Sequence, residues 1–166
     1  MKHSFSTHLL LAATLLLIYT GCEEDTSSAP FEVDYTTVPA MSDTTGMERV
    51  NLEAGLHYYV IEEGSGIFEV QPGYDEVRMF YTFWREDGTI LTSTYTNART
   101  TPQNIVVYDF GSEGARKGMA GMKRGERRLI VVPPNHAYGN VSPSNPNYDL
   151  RDDILYYEVE VTEFLN

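Results

Sequence analysis

Residues 111–139 read GSEGARKGMAGMKRGERRLIVVPPNHAYG. The first part of the stretch carries glycine at 111, 114, 118, 121 and 125, with gaps of three and four residues. That is helical spacing written in a residue that destabilises a helix interior by about 1 kcal/mol per position. A phosphate-binding loop needs a lysine followed by serine or threonine, and Lys117 is followed by Gly118. A dinucleotide fingerprint needs two glycines one residue apart, and no pair here is so placed. The small-residue face of a membrane helix sits among about twenty apolar residues, whereas this stretch holds Arg116, Lys117, Lys123 and Arg124. The spacing therefore predicts one short helix over 112–120, entered and left through glycine turns.

Around it the grammar is that of short strands. ERRLIVVPP (126–134) predicts a strand stopped by Pro133 and Pro134, because proline cannot donate to the ladder. HYYVIEEGSG (57–66) predicts a strand closing on a glycine turn. In VRMFYTFWREDG (77–88), Val77, Met79, Tyr81 and Phe83 share one face, and Asp87-Gly88 signals a hairpin into TILTSTY (89–95). ILYYEVEVTEF (154–164) sets Tyr157, Val159 and Val161 against Glu158, Glu160 and Thr162, which predicts one buried and one wet face. The class is α+β, an antiparallel sheet with a single helix. Residues 31–54 hold scattered apolar side chains that fit either an added strand or a linker.

The start, MKHSFSTHLLLAATLLLIYTGC (1–22), has one lysine and then an apolar run at 9–18 that is too short to span a bilayer. It reads as an export signal. Cys22 is the only cysteine, so no internal disulfide is available. Its position resembles the lipobox of bacterial lipoproteins, with Gly21 in place and Tyr19 where leucine is usual. That resemblance implies lipidation of Cys22, a membrane held through the N-terminal lipid, and a cell-envelope location on the periplasmic or outer-membrane face. The expected organisation is a signal peptide at 1–21, a lipidated tether and extension at 22–54, and a folded domain at 55–166. The chain has 12 basic and 24 acidic residues, a net charge of −12, which excludes a nucleic-acid surface.

The pattern G-x-x-x-G-M-x-x-M-x-x-G-E-R-R-L-I-V-V-P-P-x-x-A-Y-G, from Gly114 to Gly139, resembles the C-terminal signature of FKBP-type peptidyl-prolyl isomerases. YTFWREDG (81–88) is similar to the family's Y-T-G-x-L-x-D-G, LYYEVEV (155–161) to its L-x-F-D-V-E-L, and 57–66 to its opening strand and turn. The resemblance implies a sheet wrapped around one short helix, with the ligand between them. It implies a monomeric rotamase acting on proline-containing polypeptides, without cofactor or metal. That agrees with a chain lacking GxSxG and HExxH motifs, whose His57 and His136 lie far apart outside the leader.

Carried over by position, Tyr81 stands on the pocket wall and Tyr138 donates its hydroxyl to the substrate carbonyl. Tyr157 is a second aromatic wall, Ile105 or Val107 another wall residue, and Leu150 lies in the loop after the A-Y-G motif. Leu91 stands where phenylalanine is usual and Thr92 where aspartate is. The family enters its helix through Val-Ile-x-Gly and an aromatic that floors the pocket; here the same positions read Gly111-Ser112-Glu113-Gly114-Ala115. A floor cut to the Ala115 methyl predicts either a deeper cavity or collapse of its neighbours. It also predicts that tryptophan at 115 improves activity. The alternative is a non-catalytic FKBP-like binding or chaperone module. Met119 and Met122 are expected in the core, and the six cations of 116–128 on a solvated face.

Overall fold

The computed structural model describes residues 32–165, so the apolar leader and Cys22 lie outside the described residues. The compact unit begins at Val33. Its strands are β1 (Val50–Asn51), β2 (His57–Glu62), β3 (Glu76–Arg85), β4 (Ile90–Ser93), β5 (Gln103–Val106), β6 (Arg127–Val132) and β7 (Leu155–Phe164). They form one sheet in the order β1-β2-β6-β7-β3-β4, with β5 also pairing to β3. Every pairing is antiparallel. A single α-helix among the described residues, α1 (Glu113–Met119), precedes β6. This is the α+β class that the glycine spacing and the strand alternation predict.

The glycines of α1 turn out to be a packing device. A methyl placed on Gly114 would stand 2.5 Å from Val132 Cγ1, and one on Gly118 would overlap the Ile130 side chain. The two positions lie one turn apart and let the helix backbone settle directly onto β6. Ser112 caps the helix, its hydroxyl accepting from the Ala115 N–H at 3.3 Å. Beneath α1, Val77, Met79, Ile130, Val132, Tyr157, Val159 and Val161 join Met119 and Met122 in a core with essentially no exposure. The LIVV run of β6 is buried along its whole length, as a central strand between β2 and β7 requires.

The opposite face of β7 departs from the expected wet surface. Residues 33–47 lie across it as a strap: the Ser42 N–H and hydroxyl both donate to Glu158, at 3.0 and 2.9 Å. Pro39 and Ala40 cover Trp84, Phe80 and Tyr95 with a cleft of only about 30 Å³ between, room for little more than a water. Burial pushes the Glu160 carboxyl above its usual range, and repulsion from Glu62 adds to this. The strap also clasps the turn after β4, where Asn97 and Ala98 both hold left-handed backbone, φ 56° and 55°. Such a conformation costs about 1–2 kcal/mol for a residue with a Cβ. Asp34 and Asn97 exchange two hydrogen bonds, and the Ala98 N–H donates to Thr37 Oγ1 at 3.0 Å. Residues 50–51 pair with β2. The extension expected at 22–54 is therefore folded from Val33 onward, and the unit starts well before residue 55.

The cations of 116–128 are not uniformly solvated. Lys117 bridges Glu53 and Glu113, and Arg127 meets Glu62 at 2.6 Å, all at the surface. Arg128, by contrast, is buried. Its Nε meets Glu126 at 2.5 Å, its Nη1 donates to the Gly118 and Ala120 carbonyls at 2.9 Å each, and its guanidinium lies 4.2 Å over the Tyr58 ring. It satisfies carbonyls left open at the end of α1.

Candidate functional site

Two adjoining cavities open on the helix side of the sheet. The first, about 360 Å³, is walled by Tyr81 and Phe83 from β3, Ile105 from β5, and Asp109, Phe110 and Gly111 from the segment entering α1. The second, about 320 Å³, is walled by Leu91, Tyr138, Leu150, Leu155 and Tyr157. Phe83 and Thr92 line both. Of the residues expected at the site, Tyr81, Tyr138, Leu91, Thr92, Ile105, Leu150 and Tyr157 all reach one cavity or the other. Val107, the other wall residue considered, is wholly buried in the core.

Local structure explains the aim of each. β3 and β4 pair as Phe83 with Thr92 and Trp84 with Ile90, which leaves Leu91 as the extra residue of a bulge. A bulge bends the strand and redirects its side chain, and Leu91 turns to the second cavity. Tyr81 is pinned through its backbone by Thr94, which accepts from the Tyr81 N–H at 3.1 Å. Its hydroxyl donates to Gln103 on β5 at 3.1 Å, and burial raises that hydroxyl's pKa.

Ala115 requires a correction. It has no exposed surface and lines neither cavity. Gly111, in left-handed backbone at φ 52°, crosses over it: a methyl there would be 3.3 Å from the Ala115 Cβ and 2.9 Å from the Tyr157 ring. Aromatic side chains from other elements pack together in the cleft. Phe83 meets Phe110 at 5.1 Å and Tyr157 at 4.4 Å between ring centroids, both edge-on, and Phe110 meets Tyr81 at 5.4 Å. Edge-to-face contacts of this kind are favoured by the ring quadrupoles. Phe83 stands where the similar motif Y-T-G has glycine. An aromatic absent from the helix is thus matched by one present on the facing strand. Gly111 and the Tyr157 ring pack close to the buried Ala115. Phe83, Phe110 and Gln103 are the site residues that sequence reasoning passed over, and the glycine-to-phenylalanine exchange was the available signal.

Tyr157 is almost wholly buried, and burial drives its phenol well above the usual range. Ser112 and Tyr138 are polar neighbours that add smaller, opposing effects, Ser112 lowering its pKa and Tyr138 raising it. Tyr138 and Tyr157 both line the second cavity, whose lining carries no charged residue. Among the described residues no group of three or more His, Cys, Asp or Glu could hold a metal ion.

Residues 69–162, more than half of the chain, match the family model described as FKBP-type peptidyl-prolyl cis-trans isomerase. The chain belongs to that family. Among its relatives, the peptidyl-prolyl cis-trans isomerase Mip of Chlamydia trachomatis is 32% identical over 65% of this chain and 40% of its own length. The chloroplastic isomerase FKBP16-1 of Arabidopsis thaliana is 27% identical over 76% of this chain and 63% of its own. Both matches cover less than two thirds of the relative's own length. The N-terminal domain of FKBP42 from Arabidopsis thaliana superposes with a TM-score of 0.56 at 27% identity, over 78% of this chain and 99% of that one. Within this FKBP-type domain, β1, β2 and the strap all lie before the family match.

Proposed function

We propose that this FKBP-type protein is a peptidyl-prolyl cis-trans isomerase acting on exported polypeptides, with Tyr138 as its hydrogen-bond donor. The carrying observation is the uncharged cavity that has Tyr138 on its wall beside Leu91, Leu150 and Tyr157. Rotation about an X-Pro bond meets a barrier of about 18–20 kcal/mol, because the planar amide is resonance-stabilised. A proline ring held against Leu91, Leu150 and Tyr157 leaves water behind, and the less polar twisted amide is favoured there over the planar one. The Tyr138 hydroxyl holds the substrate carbonyl while the bond turns, and Tyr81 and Phe83 fix the neighbouring wall. No bond is made or broken.

The full chain should accelerate cis-trans equilibration of a short X-Pro peptide above the uncatalysed rate, which takes tens to hundreds of seconds. Tyr138→Phe should lower kcat/KM by about three- to tenfold, the worth of one neutral hydrogen bond. A rate equal to that of peptide alone would overturn the enzyme reading. It would leave a peptide-binding module, the second reading, which the wedge of Phe83 through the cleft supports. We also propose attachment to the cell envelope through lipid on Cys22. Cys22→Ala should then move the protein from the membrane to the soluble fraction, and unchanged membrane retention would count against lipidation.

A further inference from the structure

We propose that the first cavity is a subsite for a lysine or arginine side chain two residues from the substrate proline, so that this chain selects basic polypeptides. The inference rests on the isomerase reading only in seating the proline in the second cavity. The two cavities differ in one respect that matters. The second has no charged lining residue, whereas the first has a single one, Asp109.

Asp109 is exposed and, among the described residues, has no ion-pair partner within 4 Å. Arg116 reaches the same segment but donates to the Phe110 and Gly111 carbonyls at 3.2 and 3.4 Å. The Tyr81 hydroxyl is engaged by Gln103, and the Asn104 Oδ1 accepts from Arg78 Nε at 3.1 Å. Of the remaining walls, Phe83, Ile105, Val106, Phe110 and Gly111 are apolar, and Thr92 adds one neutral hydroxyl. An apolar slot with one free carboxylate at its rim matches the aliphatic stem and cationic head of lysine or arginine.

The spacing follows from the divider. Phe83 lines both cavities, so one ring is their partition. An extended peptide advances about 3.3 Å per residue and returns a side chain to the same face every second residue. A net charge of −12 adds a long-range pull on basic partners, weakened by salt.

The test titrates the full chain with Ac-Lys-Ala-Pro-Ala-NH2 and Ac-Ala-Pro-Ala-Lys-NH2, and with versions carrying leucine, glutamine or glutamate for lysine. At low salt one lysine peptide should bind about five- to tenfold more tightly than its glutamine counterpart, the range of a charge-assisted contact at a part-exposed site. In Asp109→Asn that ratio should fall to less than about twofold. Equal binding of the lysine and glutamine peptides overturns the proposal. So does a preference that survives in Asp109→Asn, which would assign it to the field of the whole chain. If the peptides bind with the Asp109-dependent preference but none is isomerised, the subsite stands and the isomerase reading falls. If all are isomerised and bind alike, the reverse holds, and no binding of any peptide overturns both.

Discussion

Arg128→Ala is expected to destabilise the protein by about 3–5 kcal/mol, the cost of breaking a buried pair from one side. Arg128 and Glu126 are each only 6% exposed at the side chain. Removing the guanidinium leaves a carboxylate out of water and strips the Gly118 and Ala120 carbonyls of their donor. Glu126 keeps only the Lys123 N–H, at 2.8 Å. The loss falls where α1 ends, so the helix that supports Gly111 and Ala115 loosens with it. For a domain of this length the thermal midpoint should fall by about 10 °C or more. Removing the stranded charge as well, in Arg128→Met with Glu126→Gln, should recover part of that loss. A shift below about 3 °C in Arg128→Ala would show that water reaches the pair.

Ala115→Trp is expected to damage the fold and to leave activity unimproved. Ala115 is wholly buried, with the Gly111 backbone above it. Overpacking a filled core costs about 1–3 kcal/mol, and an indole in place of a methyl belongs at or beyond the top of that range. The ring has nowhere to go while Phe83 and Phe110 occupy the space before Tyr157. Combining Ala115→Trp with Phe83→Gly exchanges the large and small residues across the cleft. The pair should therefore be milder than the sum of its parts by about 1 kcal/mol or more. Denaturant melts of the two single variants and the double variant measure that coupling. Strict additivity would mean that Phe83 is not what replaced the floor.

The glycine stretch and the strand alternation made the sheet, the helix and most of the cleft legible, because each rests on local spacing. The glycine spacing announces one short helix, while the reason for Gly114 and Gly118, close approach to Val132 and Ile130, appears only in the fold. Tyr81, Tyr138 and Tyr157 sit at motif positions that topology alone brings together. What escaped was set by contacts distant in sequence. Glu158 and Glu160 alternate like residues facing water, yet Ser42, more than a hundred positions earlier, lies across Glu158. Ala115 stands out in the sequence by itself, but the packing of Phe83 with Phe110 and Tyr157 appears only in the folded cleft. The two-residue β1 and four-residue β5 are too short to show a period at all.

The strap has an optical consequence. Trp84 is the only tryptophan in the chain, and it is 4% exposed beneath Pro39 and Ala40, on the face of the sheet turned away from Tyr81, Phe83 and the cleft. Its emission is therefore a built-in gauge of whether residues 33–47 are seated. A ligand entering the cleft would pass almost unseen by that indole, while lifting of the strap would redden it. The tyrosines, which ring the cavities, are the chromophores to watch for substrate.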